Sequence, residues 1–504
     1  MEQYKCFESE NKMVQKKKYE ILFVNVCFFM AFYFGVTFFS HYGLDDYIAM
    51  HQINEFHYNA LSNGRYALLL INDFFIKINF NPVIGQKIMA IILVFAFAIG
   101  STSIAQYIIE LLKITEKKSR FLIVIGSMLF FANVFITEWF SFVLTYAQWI
   151  LAVIGSVYGA IFVSKTGVKN KTIGFIFVLL MVNSYQAMIP DYAIMVMAFL
   201  YIKYINKNIK FGKLVLQLIE AGILVIVATI SNIILTKILI LNGIVDPNSR
   251  YSAISFSFEN IKNLFQMQKS IWIDGKGLMT HGILIIFMIC LCAAMVMSVI
   301  RNKIQIKDAL LGIGLAVVGL LACFALQMLF VVSTPRSLVP IFGIYSFLVY
   351  LIVIWSIKDN LAVKLTIVSV LAFLCCNFYN VWNVSIGMFQ LNALEKEYAR
   401  QIEYQIHKYE QETGNNVRYI CFYKDMNPQY KYDLSVKPES ELLNRSYMAS
   451  WGDIYMLYYY TNLEVEKIDP KEEWSEYFAN KDWHVFDPDE QMKFEDDTLN
   501  LCFY

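Results

Sequence analysis

Uncharged apolar runs of about twenty residues recur along most of this chain, and they constrain its fold more than any other feature. At a rise of about 1.5 Å per residue, a helix of that length crosses the roughly 30 Å hydrocarbon core of a membrane. Only 16% of the 504 residues are charged, against roughly 25% in ordinary globular chains. We therefore expect an α-helical polytopic membrane protein.

The apolar runs predict about eleven transmembrane helices. They cover residues 21–40, 88–112, 121–137, 142–163, 173–188, 190–204, 214–243, 281–300, 309–332, 338–357 and 361–380. The first run is too long for the apolar part of a signal peptide and lacks a small-residue cleavage site, so we expect it to remain as an anchor. Only 31 residues separate Lys171 from Lys203, and a short or re-entrant hairpin is expected there.

Clusters of Lys and Arg fall in every second predicted loop. The clusters are Lys16, Lys17 and Lys18; Lys113, Lys117, Lys118 and Arg120; Lys165, Lys169 and Lys171; Lys203, Lys207, Lys210 and Lys213; Arg301, Lys303 and Lys307; and Lys358 and Lys364. Because short loops that are rich in these residues stay in the cytoplasm, the pattern predicts a cytoplasmic N-terminus and an extracytoplasmic C-terminus.

The charge divides the chain into two predicted domains. Residues 1–390, the transmembrane domain, carry 30 Lys and Arg against 18 Asp and Glu, whereas residues 391–504 carry 12 against 23. An acidic soluble domain would repel phosphates, which argues against nucleic-acid binding.

The C-terminal part predicts a small α/β domain outside the membrane. Apolar residues at helical spacing over 391–411 end before Gly414, and alternation from Val417 to Tyr423 indicates a strand. Cys421 and Cys502 both lie in strand-like stretches, and their spacing leaves open whether they pair.

The long outer loop 41–87 combines two amphipathic, interfacial helices with an acidic pair, Asp45-Asp46. Charges this close to hydrocarbon often mark functional sites, although either Asp could simply cap a helix. Neighbouring side chains point apart, so the two carboxylates cannot flank one sugar as in a glycosidase. One Asp is therefore expected to act as a base, and the other as a positioner, a cap or a metal ligand.

Four short motifs on the predicted outer side together resemble the GtrII family of serotype-converting glucosyltransferases. They are Asp45-Asp46, Asn63-Gly64-Arg65, Asn183-Ser184-Tyr185-Gln186 and Pro335-Arg336. The resemblance rests on the order and topological placement of the motifs and extends over nearly the whole chain, with only the general architecture matching in the C-terminal domain. It implies a GT-C-like membrane enzyme in the bacterial plasma (inner) membrane.

The resemblance also implies a reaction. A hexose, typically glucose, would pass with inversion from a polyprenyl-phosphate carrier to a cell-envelope polysaccharide, such as an O-antigen or a teichoic acid, on the outer face of the membrane. The phosphate is already a good leaving group, so the acceptor hydroxyl alone needs a base, and Asp45 or Asp46 fits.

The departing phosphate needs cations aimed at it. Arg336 is the first candidate and Arg65 the second, with Arg250 and Lys269 weaker, because a guanidinium holds phosphate through two parallel bonds. The alternative is that these side chains reach towards lipid headgroups.

Four further residues are candidate sugar or acceptor ligands. Glu138 and Asp191 lie at predicted outer turns, where ordinary polar residues are also common. Tyr185 and Gln186 lie where a helix meets the outer side, a depth at which Tyr also belongs to the interfacial aromatic belt.

No cofactor is certain from the sequence. His41, His51 and His57 share the first outer loop, but their spacing does not suit zinc, and we expect interfacial polar residues. A divalent cation, Mg²⁺ or Mn²⁺, held by Asp45 or Asp46 with the donor phosphate remains open.

Two other functional classes remain. A transporter or flippase of lipid-linked glycans would need charges near the bilayer midplane, whereas the candidate charges cluster at one face. A non-catalytic membrane scaffold would give no reason for the ordered polar groups in the outer loops.

Overall fold

The computed structural model describes residues 18–52, 57, 60–61, 63–245, 258–329, 334–356, 360–424, 450–479, 481, 483 and 486–503. Within them a bundle of long helices is followed by a small region with a four-stranded sheet. Eight of the described helices are long and apolar enough to cross a membrane. The predicted class, an α-helical membrane protein with a small C-terminal α/β domain, is confirmed.

The first part of the bundle contains helices with short 3₁₀ turns between some of them. They are α1 (18–32), α2 (Phe34–Phe38), α3 (Leu44–His51), α4 (Tyr66–Lys77), α5 (Gln86–Leu112), α6 (Lys117–Met128), α7 (Thr137–Phe140), α8 (Tyr146–Ser164), α9 (Val168–Val182) and α10 (Ile189–Ile205). Helices α3 and α4 lie in the first outer loop, where two helices are expected; residues 53–56 of the first expected helix lie outside the described residues.

The second part of the bundle leads into the C-terminal domain. Its described helices are α11 (Phe211–Leu241), α12 (Phe258–Gln266), α13 (Gln268–Trp272), α14 (Ile283–Arg301), α15 (Ile306–Cys323), α16 (Ala325–Leu329), α17 (Pro335–Leu338), α18 (Pro340–Trp355) and α19 (Asn360–Thr413). The remaining elements are β1 (Tyr419–Lys424), α20 (Asp453–Tyr460), β2 (Glu466–Lys467), α21 (Glu472–Ala479), α22 (Pro488–Gln491), β3 (Met492–Glu495) and β4 (Thr498–Phe503).

The predicted spans 173–188 and 309–332 are wrong as single helices, because α9 ends at Val182 and α15 ends at Cys323. The predicted span 121–137 is also wrong as a single helix, because α6 ends at Met128. The chain then turns, and side chains satisfy the backbone that leaves the helix. The Tyr33 hydroxyl donates to the carbonyls of Phe131 and Asn133, and the Val134 N–H donates to the amide oxygen of Asn377. Irregular backbone at membrane depth is tolerated where protein surrounds it in this way.

The expected hairpin between Lys171 and Lys203 is confirmed. Lys171, at the start of α9, donates to the carbonyl of Val163 at 2.7 Å, and Lys203, near the end of α10, donates to the carbonyl of Ser164 at 2.5 Å. The chain therefore leaves one end of the bundle along α9 and returns to that end along α10.

The described basic loops share one end of the bundle. Further hydrogen bonds join neighbouring loops there: Asn206 to Leu111, Tyr204 to Asp308, and Ser298 to Ser356. The predicted grouping of the basic clusters on one side therefore agrees with the packing. Lys16, Lys17 and Lys358 lie outside the described residues.

Helix α19 is continuous over 54 residues and crosses the boundary predicted at residue 390. The predicted span 361–380 and the predicted helix 391–411 are therefore parts of one element, which ends before Gly414 at a φ of +76°. Buried apolar residues form one cluster in the bundle, up to Leu391, and another in the C-terminal region from Tyr398, which Tyr47 of α3 also joins.

The sheet has the order β2-β1-β4-β3, with β1 parallel to both neighbours and β3 antiparallel to β4. The strand predicted from the alternation is confirmed as β1, and as a central strand it is buried on both faces. The register pairs Cys421 with Asn500 and Cys502 with Tyr423. Cys421 is a free thiol that lies 3.6 Å from the carbonyl of Asp469, so it does not pair with Cys502.

Candidate active site

Asp46 fastens the start of α3 to the segment that follows α7. Its side chain is fully buried; Oδ2 accepts the Gly43 N–H at 2.8 Å and Oδ1 accepts the Leu144 N–H at 3.0 Å. Burial raises the pKa of Asp46 to about 7, although these backbone N–H groups act in the opposite direction. Both carboxylate oxygens are engaged in holding the backbone, which suits a positioning role.

Asp45 has a different environment from its neighbour. It is half-buried, and its Oδ1 accepts a hydrogen bond from the indole Nε1 of Trp451 at 3.1 Å. Trp451 belongs to the C-terminal domain, so that domain lies directly beside the acidic pair. Because Asp45 is the more accessible carboxylate, it is the better placed of the two to meet a substrate hydroxyl.

Gly43 permits the close approach between the acidic pair and the segment 138–146. A Cβ atom at this position would lie 2.3 Å from the carbonyl oxygen of Ser141. Real Cβ atoms do not occupy such positions, so any larger residue would push α3 away from the segment.

Glu138 and Arg336, predicted as separate ligands for sugar and phosphate, form an ion pair. The Arg336 backbone N–H donates to Glu138 Oε2 at 2.6 Å, and its Nη1 donates to Oε1 at 3.1 Å. The Glu138 side chain is fully buried, and that of Arg336 is 17% exposed. The guanidinium also lies 4.6 Å from the centre of the Phe142 ring. Glu138 thus orients Arg336, and both of its carboxylate oxygens are engaged by that residue.

The turn before α4 is tied to the turn after α9. The Asn232 amide of α11 donates to the carbonyl of Gly64 at 2.7 Å and to the side-chain oxygen of Asn183 at 2.9 Å. The Ala67 N–H donates to the Asn183 carbonyl at 3.0 Å. These bonds bring two of the four sequence motifs together. Asn232 is not among the residues predicted from the sequence. Its signal there is a single Asn within a long apolar helix.

The two arginines meet at one group of aromatic side chains, which we call the arginine–aromatic cluster and define as Arg65, Arg336, Trp139, Trp149 and Tyr185. The two indoles stack at 4.7 Å, and the Tyr185 ring packs edge-on against Trp149 at 4.3 Å. The Arg65 guanidinium lies 5.8 Å from the centre of the Tyr185 ring. Arg336 joins the cluster through its carbonyl, which accepts from the Trp139 indole Nε1 at 3.4 Å.

Three buried polar atoms at the start of α8, the helix that carries Trp149 of this cluster, have no hydrogen-bond partner among the described residues. They are both amide atoms of Gln148 and the indole nitrogen of Trp149. Gln148 lies on the face of α8 that also carries Gly155 and Gly159, both of which pack against α9. Buried polar groups without partners are costly in a folded protein, so these atoms are suited to a polar ligand. Gln148 is not among the residues predicted from the sequence, where its one signal is a polar residue just before a Trp in an apolar stretch.

The remaining sequence candidates lie around or below the cluster. Gln186 is half-buried and begins the 3₁₀ turn that follows Tyr185. Asp191 is fully buried inside α10, where its Oδ1 faces Gly343, and neither carboxylate oxygen has a described partner. Gly343 follows Arg336 by seven residues, about 10 Å along a helix, so Asp191 lies deeper in the bundle than the arginines.

The histidines do not form a metal site in the described part of the chain. His41 is buried rather than interfacial, because its ring nitrogens lie 2.9 and 2.7 Å from the carbonyls of Phe39 and Phe140. His57 pairs with Asp73 at 3.1 Å. Among the described residues no three His, Cys, Asp or Glu side chains form a ligand group. A cation at Asp45 or Asp46 would therefore depend on further ligands from the substrate.

Lys269, one of the two weaker phosphate candidates, lies in α13. Arg250, the other, lies outside the described residues.

Comparison with known families gives one match. The family model described as glucosyl transferase GtrII matches residues 20–356, a range that contains Asp45, Asp46 and every residue of the arginine–aromatic cluster. Comparisons with curated proteins and with solved structures each found no match. Because the family model covers well over half of the 504 residues, this chain belongs to the GtrII glucosyltransferase family.

Proposed function

We propose that this membrane glycosyltransferase moves a hexose, glucose in keeping with its family, from a polyprenyl-phosphate carrier to a cell-envelope polysaccharide. The reaction is of the GT-C type and inverts the anomeric centre. It takes place at the end of the bundle opposite the basic loops, which is the outer face if those loops are cytoplasmic.

The observation that carries this proposal is the position of Arg65 and Arg336 in the arginine–aromatic cluster, where Arg65 lies over the Tyr185 ring and Arg336 contacts Trp139. Two guanidinium groups beside stacked indoles suit a sugar phosphate, because cations bind the phosphate and the aromatic faces cover the sugar ring. The polar atoms of Gln148 and Trp149 that have no described partner add hydrogen-bonding capacity for sugar hydroxyls.

Asp45 is the proposed base. Its carboxylate takes the proton from the acceptor hydroxyl, whose oxygen then forms the bond to the anomeric carbon. The bond between that carbon and the phosphate oxygen breaks, and its electron pair leaves with the phosphate. Arg336 and Arg65 stabilise the negative charge that develops there.

The segment 138–146 joins the base to the phosphate site. Phe142 contacts Arg336, and the N–H of Leu144 holds Asp46, the neighbour of Asp45. Two residues span at most about 7 Å of chain, so both halves of the proposed site contact one short stretch. This proximity supports a single reaction site.

Purified protein given polyprenyl-phosphate-[¹⁴C]glucose and envelope polysaccharide from cells that lack the protein tests the proposal. We expect labelled polysaccharide with the wild type, and at least a hundredfold loss with Asp45→Asn and with Arg336→Ala. Arg301→Ala, which removes an exposed arginine at the basic end, is the matched control and should retain activity. Full transfer by Asp45→Asn would exclude Asp45 as the base. Movement of intact lipid-linked glucose between leaflets, without a new glycosidic bond, would contradict the enzymatic proposal.

A further inference from the structure

Aromatic side chains from two parts of the chain meet along α3, the helix that carries Asp45. Three come from the C-terminal domain, namely Trp451, Tyr455 and Tyr459, and two come from the first outer loop, namely Tyr42 and His51. The Tyr42 and Tyr459 rings lie 5.3 Å apart, and those of His51 and Tyr455 lie 5.8 Å apart. We call these five residues the aromatic patch.

The patch is more exposed than a folding core requires. Trp451 is 51% exposed and Tyr459 is 40% exposed. Trp451, Tyr455 and Tyr459 follow one another at intervals of four residues, so they share one side of α20 and its preceding turn. Exposed aromatic groups with polar edges are characteristic of binding surfaces.

The patch is held rigidly beside the proposed base. Asn392 of α19 binds the backbone N–H and carbonyl of Tyr42, and the buried Glu395 accepts from the Tyr47 hydroxyl at 3.2 Å. The Tyr47 hydroxyl also lies 3.0 Å from that of Tyr460. Hydrogen bonds therefore join α3, α19 and α20 at one place. Trp451, just before α20, donates its hydrogen bond to Asp45 of α3.

We propose that the aromatic patch binds sugar rings of the acceptor glycan and presents one hydroxyl to Asp45. The inference rests on the proposed function and names the acceptor side of that site. Aromatic faces cover the apolar faces of sugar rings, while the phenol, imidazole and indole groups offer hydrogen bonds to hydroxyls. The donor side, at the arginine–aromatic cluster, shares no residue with the patch.

The charge of the surrounding domain selects the class of acceptor. Residues 391–504 carry 12 basic and 23 acidic side chains, so a polymer with a phosphate in every repeat would be repelled. The patch is made of aromatic rings and contains no Lys, Arg, Asp or Glu. The occupant we assign is therefore a neutral polysaccharide.

Variants of the full-length protein in detergent micelles separate these contributions. Trp451→Ala and Tyr459→Ala remove ring faces, Trp451→Phe keeps the ring but loses the hydrogen bond to Asp45, and Tyr404→Ala removes an exposed tyrosine of α19 outside the patch. The probe is the neutral polysaccharide fraction from cells that lack the protein, and the phosphate-containing polymer fraction is the second arm. Initial rates are measured against each polymer at saturating donor.

We expect Trp451→Ala and Tyr459→Ala each to raise the KM for the neutral fraction about tenfold, because each removes a ring face that contacts the sugar. A tenfold change corresponds to a loss of about 1.4 kcal/mol of binding free energy. The KM for the donor should stay unchanged. Trp451→Phe should raise the acceptor KM less than threefold, and Tyr404→Ala should not change it. A circular dichroism spectrum and melting temperature close to those of the wild type establish that each variant is folded.

The outcomes distinguish this inference from the function on which it rests. If the wild type transfers sugar but Trp451→Ala and Tyr459→Ala leave the acceptor KM unchanged, the patch is not the acceptor site. If the phosphate-containing fraction is the better acceptor and is the one affected by these variants, the assignment of a neutral acceptor is overturned. If the wild type transfers no sugar to either fraction, the proposed function fails first.

Discussion

Arg336 has both a structural and a chemical part in the proposed site. Its guanidinium neutralises the fully buried Glu138 while remaining 17% exposed beside Phe142. Removing one partner of a buried ion pair leaves an uncompensated charge, whereas removing both often costs little. Stability and activity can therefore be separated by comparing single and double variants at this pair.

We expect Arg336→Ala to lower the free energy of unfolding by about 3–5 kcal/mol and to abolish transfer. The double variant Glu138→Ala/Arg336→Ala should recover much of the lost stability but no activity, because the phosphate still lacks its cation. Denaturant titration in detergent and the labelled-sugar assay measure the two effects. Recovery of transfer in the double variant would show that Arg336 acts only through Glu138.

Asp46 makes native stability depend on pH. Burial raises its pKa from 3.8 to about 7, so the folded protein binds this proton more tightly than the unfolded chain. The contribution of Asp46 to stability therefore declines as the pH rises from about 4 to about 7. The opposite sign would hold for a carboxylate whose pKa is lowered.

We expect the melting temperature of the wild type, relative to that of Asp46→Asn, to fall between pH 5 and pH 8. The amide does not titrate, so the variant lacks this contribution, although it also loses one of the two backbone N–H acceptors. Thermal unfolding in detergent at several pH values measures the difference. A difference that stays constant over this range would contradict the raised pKa.

Among the elements, the segment 138–146 connects α3, α7, α8 and α17. Its Leu144 N–H donates to Asp46 in the first turn of α3, and its Glu138 side chain accepts from the Arg336 N–H at the start of α17. Its short helical turns are bounded by hydrogen bonds rather than by membrane thickness. The position of this segment fixes the distance between Asp45 and Arg336.

Gly43→Ala tests the contact between α3 and this segment. Its Cβ would meet the Ser141 carbonyl at 2.3 Å, so we expect a lower melting temperature and at least a tenfold loss of transfer. Gly222→Ala is the matched control, because a Cβ at this position of α11 meets nothing within 4 Å and alanine favours the helix. Equal behaviour of the two variants would show that the close approach has no consequence for the site.

At the scale of the whole molecule, α19 joins the bundle to the C-terminal domain without a break. The domain is held against α3 through Glu395, Asn392 and Tyr47, so it sits over the end of the bundle that carries the proposed site. The basic loops lie at the other end. The proposed orientation therefore places the C-terminal domain, the acidic pair and both arginines on the same side of the membrane.

Cysteine labelling in whole cells checks this orientation. We expect a membrane-impermeant maleimide to label Glu412→Cys, at the end of α19, in intact cells. It should label Lys210→Cys, in a basic loop, only after permeabilisation. The unsubstituted protein is the background control for its own cysteines. The reverse pattern would place the site in the cytoplasm and contradict an extracytoplasmic acceptor.

The sequence by itself determined the fold class, the hairpin between Lys171 and Lys203 and the grouping of the basic loops, and it supplied the four motifs from which the site is proposed. These features depend on hydrophobicity, charge and local chemistry, which each stretch of residues carries without its neighbours. The end of α6 near residue 130 did not follow from the sequence, because a helix break depends on distant partners such as Tyr33 and Asn377.

Tertiary structure alone decided how the candidates pair. Asp45 and Asp46 are chemically identical in the sequence, and only burial against the Leu144 N–H separates a positioning residue from an accessible one. The pairing of Glu138 with Arg336 joins residues 198 positions apart. Such contacts depend on which helices pack together, and packing is a property of the whole bundle rather than of any one stretch of sequence.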